Sequence, residues 1–95
     1  MQFLIHAWDG NDELALERRL NTRPDHLVGA KKLKENGNFI IGGAMLDENG
    51  NMKGSTMIVE FDSETDLQKW LDEEPYILNG VWKKIEVFPF RIANV

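Results

Sequence analysis

A chain with two histidines and no cysteine has few ways to do covalent or proton-transfer chemistry, and one of the two stands in a suggestive place. His26 lies in Arg23-Pro24-Asp25-His26-Leu27, a charged turn at the expected mouth of a helix. Proline lacks a backbone N–H and has a pre-set φ, so Pro24 suits the first turn of a helix and marks its start. His26 then falls where N–H groups are still unpaired and the helix dipole is positive, which favours a neutral imidazole or a bound anion. A histidine kept neutral near pH 7 is a usable general base.

Around it, Arg23 offers a planar fork for a substrate carboxylate or phenolate, with an exposed salt bridge to Asp25 or Glu17 as its ordinary alternative. Ser55 could orient a substrate or simply bond a neighbouring backbone group. Trp8, Tyr76 and Trp82 could line an aromatic pocket, although aromatics in so short a chain more often serve a core or an interface. His6 sits mid-strand and reads as packed or interfacial. Two histidines this far apart, without acidic ligands at close spacing, give no expectation of a metal. The absence of cysteine excludes disulfides, thiolate zinc sites and a cysteine nucleophile.

These side chains need elements to hold them. Residues 2–9 alternate, with Phe3, Ile5 and Ala7 on one face and Leu4, His6 and Trp8 on the other, which predicts a strand. Asp12 could cap a short helix over 13–20, which has helix formers and apolar residues at 16 and 20. Asn21 to Pro24 breaks it, and a second helix is expected to run to about Asn36 with Leu27, Ala30 and Leu33 inward, stopped by Gly37. Lys31, Lys32 and Lys34 read as its solvated face. Residues 39–45 predict a strand whose Gly42-Gly43 pair suggests a bulge or a close approach. Asp47 to Asn51 is a hairpin loop, and 54–61 is the return strand. Ser63-Glu64-Thr65-Asp66 resembles a capping box, followed by Leu67, Trp70 and Leu71 at helical spacing until Pro75 ends the helix. Tyr76 to Gly80 is a connector. Residues 81–92 form the last strand, with Trp82, Phe88 and Phe90 on one face and Val81, Ile85 and Val87 on the other, and Pro89 marking an edge or bulge.

That order, with helices at both crossovers, predicts a single domain over 1–95 of α+β class, the ferredoxin-like βαββαβ arrangement with an antiparallel sheet covered on one side by helices. The other sheet face would carry Leu4, Trp8 and several aromatics, so pairing with a second copy is expected. The 95 residues are 42% hydrophobic and 28% charged with a net charge of −5. This is the composition of an ordinary globular protein, without a spanning segment or a signal-peptide pattern, and it makes the cytoplasm the default and no membrane partner expected. An acidic balance also argues against a nucleic-acid partner.

The residues taken together resemble the YciI-like (YCII) family of small bacterial proteins. The resemblance covers nearly the whole chain. It rests on Arg23-Pro24 with His26-Leu27, the Gly42-Gly43 strand, Gly54-Ser55-Thr56, Glu74-Pro75-Tyr76 followed by Gly80-Val81, and the Val87-Phe88-Pro89-Phe90 ending. It implies a dimeric α+β barrel type of ferredoxin-like fold and a histidine–carboxylate site. The best-defined activity attached to the family is dehydrochlorination of a chlorinated, hydroxylated aromatic, and the wider fold group includes lactone isomerases and cofactor-free monooxygenases. The family's histidine carries over to His26 and its Gly-Ser-Thr hydroxyl to Ser55. Its Asp-Pro-aromatic motif falls on Glu74-Pro75-Tyr76, with glutamate in place of aspartate, an extra methylene that exceeds the tolerance of a tuned dyad. Asp9, at the end of the first strand, is the other acidic candidate, and the two stay open as partners of His26.

Two functions follow as expectations. The first is a cofactor-independent lyase or isomerase acting on a small oxygenated aromatic or cyclic compound. In it His26 takes the proton, Asp9 or Glu74 orients it, and Arg23, Ser55 and Tyr76 hold the substrate. The second is a non-catalytic small-molecule-binding or interaction module on the same dimeric fold.

Overall fold

The computed structural model describes residues 1–95. Its elements run β1 (Gln2–Asp9), α1 (Ala15–Glu35), β2 (Phe39–Leu46), β3 (Met52–Glu60), α2 (Glu64–Glu73), α3 (Pro75–Leu78) and β4 (Trp82–Phe90). The strands form one antiparallel sheet in the order β2-β3-β1-β4. This is the ferredoxin-like α+β fold that the element order implies, with the one-turn helix α3 added after α2. No helix is long and apolar enough to cross a membrane.

The period-two alternation of β1 decides which side of the sheet is covered. Phe3, Ile5 and Ala7 are buried, and their partners on β3, Val59, Met57 and Ser55, are buried with them. Leu33, Leu67, Leu71, Tyr76 and Val81 close over this side. Each fully buried large apolar side chain is worth roughly 1.5–3 kcal/mol relative to exposure, so this layer carries most of the stability. On the opposite side Leu4, His6 and Trp8 are half-exposed, and Phe88 and Phe90 remain 43% and 39% exposed.

Local punctuation sits where side-chain chemistry puts it. The Ser63 hydroxyl accepts from the Asp66 N–H at 3.1 Å and starts α2. Gly37, at φ 80°, ends α1 in a left-handed turn in which the Asn38 N–H donates to the Leu33 carbonyl and the Gly37 N–H to that of Lys34. Asp12 is not the N-cap it was expected to be: Leu14 holds that position without a side-chain cap bond, and Asp12, two residues before it, accepts from the Leu14 N–H at 3.3 Å while pairing with Arg18 at 2.8 Å.

Four further expectations change. The break at 21–24 does not occur: α1 is one helix of 21 residues with Pro24 inside it. A proline in a helix interior forgoes a ladder bond and costs about 3 kcal/mol or more. The helix survives because its buried stripe, Ala15, Arg19, Thr22, His26 and Leu33, runs through the proline at helical spacing. Leu27, expected inward, is exposed. Trp82 lies on the helix-covered side rather than with Phe88 and Phe90. An extra residue at Lys83, where the β1–β4 register slips between Trp8 and Asp9, flips its direction. The 76–80 connector contains the turn α3.

Candidate active site

The buried stripe of α1 is mostly polar, and it faces the sheet. His26, in the middle of the helix rather than at its start, directs Nδ1 at the carboxylate of Glu74, 2.5 Å away. Glu74 is only 2% exposed. It holds this position because it is also the N-cap of α3. Its backbone is extended, Pro75 follows at the first helical position, and the Oε1 that meets His26 also accepts from the Tyr76 N–H at 3.1 Å. Gly80, at φ 69°, ends the turn, with the Val81 N–H donating to the Tyr76 carbonyl. The extra methylene of glutamate is thus absorbed by a cap geometry, and the carboxylate reaches the imidazole.

Aromatic packing fixes the ring. Tyr76 stacks on His26 at 3.9 Å with planes 10° apart, and Trp82 meets it edge-on at 5.9 Å. An ionised carboxylate can only accept, so the bond to Glu74 places a proton on Nδ1, and in the neutral ring the lone pair is then on Nε2.

Beside this pair lies a second buried group. Arg19 Nη1 donates to both carboxylate oxygens of Asp9, at 2.9 and 3.0 Å, and its Nη2 donates to Ser55 Oγ at 2.7 Å. Trp82 Nε1 donates to the same Ser55 oxygen at 3.2 Å. The Arg19 guanidinium sits 4.8 Å from the Tyr76 ring centre, which ties the two groups together. The Arg19 and Asp9 side chains are each about 3% exposed. Burial pushes the Asp9 carboxyl above its ordinary range against the lowering pull of Arg19. Burial likewise pushes the Tyr76 phenol up, opposed by Arg19 and Arg23.

Both groups border one small cleft, about 110 Å³, between α1 and the β2–β3 pair. Arg19, Arg23 and His26 line it from the helix, Ser55 and Met57 from β3, and Tyr76 from α3. Gly42 belongs to its floor: a Cβ there would lie 2.8 Å from that of Met57 and 2.9 Å from the Phe39 ring, so only glycine fits. No carboxylate lines the cleft. Arg23 forms no ion pair with Asp25 or Glu17.

The residues singled out in the sequence therefore separate. His26, Arg23, Ser55 and Tyr76 share the cleft, with Glu74 directly behind His26. Asp9 does not partner His26; it partners Arg19. His6 is on the opposite sheet face, bonded to the Thr56 hydroxyl at 2.7 Å and edge-on to Trp8 at 4.0 Å. Arg19 was not singled out at all, although Arg19, Thr22 and His26 recur at helical spacing and could have been read as one polar stripe.

The YCII-related domain model matches residues 1–91. Protein YciI of Escherichia coli O6:H1 is 37% identical over 96% of this chain and 97% of its own length. Among solved structures, the 5-chloro-2-hydroxyhydroquinone dehydrochlorinase TftG of Burkholderia phenoliruptrix, in complex with 2,5-dihydroxybenzoquinone, superposes with a TM-score of 0.86. It is 23% identical and covers 98% of this chain and 96% of that one. A dimeric ferredoxin-like protein from an uncultured marine organism superposes at 0.53 with 18% identity, covering 99% and 92%. At these identities the structural likenesses are likenesses of fold.

Proposed function

The chain belongs to the YCII-related family, and on that premise we propose that it is a cofactor-independent lyase or isomerase in which His26, oriented by Glu74, removes a proton from a small oxygenated aromatic or cyclic substrate. The observation that carries this reading is the 2.5 Å bond from the Nδ1 of His26, a histidine lining a cleft that no carboxylate lines, to a carboxylate behind it held almost wholly out of water. A base needs a fixed tautomer and a partner that steadies the imidazolium once it forms, and Glu74 supplies both. Arg23, unpaired at the cleft, supplies positive charge for the oxygen that the reaction makes anionic. Tyr76 forms an aromatic wall.

For a chlorinated hydroquinone the proton transfers and the departure of chloride with its bonding pair sum to loss of HCl. The ring ends at the quinone level without an oxidant or reductant. The half-exposed aromatic face of the sheet supports pairing of two copies, which would cover Phe88 and Phe90.

The test is chloride release from 5-chloro-2-hydroxyhydroquinone, together with product formation from a panel of hydroxylated aromatics and lactones, by wild type and His26→Ala. Turnover that disappears with the histidine supports the reading. Compounds that raise the melting temperature of wild type and are released unchanged would show a binding module instead.

A further inference from the structure

The hydrogen-bond count around Ser55 says more about the ligand than its position does. A serine hydroxyl has one hydrogen to give and two lone pairs to accept with. At Ser55 both lone pairs are engaged, one by Arg19 Nη2–H at 2.7 Å and one by Trp82 Nε1–H at 3.2 Å. Neither donor can turn away. Arg19 is locked by its bonds to Asp9, and the Trp82 ring is buried among His26 and Tyr76. The residue is 3% exposed and lines the cleft. The O–H hydrogen therefore has no competing use, and the charged Arg19 donor polarises the bond that carries it.

We propose that Ser55 is a donor-only contact, so that the cleft takes a ligand presenting a hydrogen-bond-accepting oxygen, phenolate, enolate or carbonyl, at Ser55 and refuses one presenting an N–H there. An N–H placed at Ser55 would face a hydrogen already aimed at it and an oxygen with no lone pair left, and the buried donor would go unpaired. This deepens the function proposed above only in sharing its cleft. It concerns which oxygen is held, and it stands whether or not His26 turns the ligand over.

The probes are 4-nitrophenolate and 4-nitroaniline in mildly alkaline buffer, matched in shape and differing at one group. Wild type is expected to bind the phenolate at least about tenfold more tightly, the scale of a hydrogen bond to a charged group, and to shift its absorption band to shorter wavelength as the oxygen accepts. Ser55→Ala is expected to lose about tenfold in phenolate affinity, and the band shift with it. Trp82→Phe keeps the serine and frees one lone pair, so 4-nitroaniline should gain and the ratio between the probes should shrink, while the charge at Arg23 is unchanged. This second variant also decides the matter if Ser55→Ala does not fold.

The proposal is overturned if wild type binds the probes equally or binds neither, if the band shift survives Ser55→Ala, or if Trp82→Phe leaves the ratio as it was. Discrimination between the probes without chloride release would defeat the lyase reading and leave this one standing. Chloride release without discrimination would do the reverse.

Discussion

The two histidines of this chain make the same kind of bond through the same ring nitrogen, and only one of them is in a position to act as a base. His6 Nδ1 meets the Thr56 hydroxyl at 2.7 Å, and His26 Nδ1 meets the Glu74 carboxylate at 2.5 Å. A hydroxyl can give or accept, so Thr56 suits either tautomer of His6. A carboxylate can only accept, so Glu74 fixes one. His6 also packs on the half-exposed face of the sheet against Trp8, without a cleft, whereas His26 borders one. What separates an ordinary histidine from a candidate base is thus the chemistry of the partner and whether the ring borders a cleft, neither of which the histidine itself carries.

The difference can be broken most severely through turnover. His26→Ala is expected to lower kcat by about a hundredfold or more, the usual contribution of a positioned general base, while His6→Ala leaves it near wild type; steady-state kinetics on any compound that turns over checks both. A similar loss in the two variants would erase the contrast.

Glu74→Gln sharpens it. The amide oxygen can take the place of Oε1 and still accept from the Tyr76 N–H and the His26 Nδ1–H, but it carries no charge to steady the imidazolium, so kcat should fall between about tenfold and a hundredfold with KM little changed. A comparable effect from Thr56→Val would show that the hydroxyl matters as much as the carboxylate.

Stability offers a smaller contrast. Glu74→Ala leaves the Tyr76 N–H and the His26 Nδ1–H without partners in a buried place, at a cost of about 1–3 kcal/mol in urea unfolding. Thr56→Val, on the half-exposed face, is expected to cost less than about 1 kcal/mol.

The smallest effect separates buried from exposed charge. The hydrogen bonds from Arg18 hold the Asp12 carboxyl down at about 2, against an ordinary value of 3.8. A folded-state value below the unfolded one gives stability that is present above 3.8 and lost as the pH falls toward 2. Asp12→Asn should therefore flatten the acid limb of a stability–pH curve. Asp9 runs the other way: burial raises its carboxyl, so the stability it contributes is lost as the pH rises through that raised value.

Local chemistry was legible in the sequence wherever a residue acts within a few positions of itself. The alternation of β1, the cap at Ser63, the stop at Gly37 and the hairpin loop all follow from neighbours in the chain. The site was legible by residue type, but its pairings depend on distant partners. Glu74 and His26 are 48 residues apart, and Asp9 and Glu74 read alike until the fold assigns one to Arg19 and the other to His26. Helix α1 misled for a physical reason: a search for apolar periodicity passes over Arg19, Thr22 and His26, the residues that hold the helix together across Pro24. Trp82 misled because a single bulge reverses the facing of a strand residue.

The proposed role of His26 requires that Glu74 hold it with its proton on Nδ1 and its Nε2 bare. Long-range proton–nitrogen correlation spectra of the protein labelled with 15N-histidine, at neutral pH, read this directly. The expected result is a single Nδ1–H tautomer for His26, lost in Glu74→Ala, beside a His6 that mixes both forms. A His26 ring protonated on Nε2, or on both nitrogens, would contradict it.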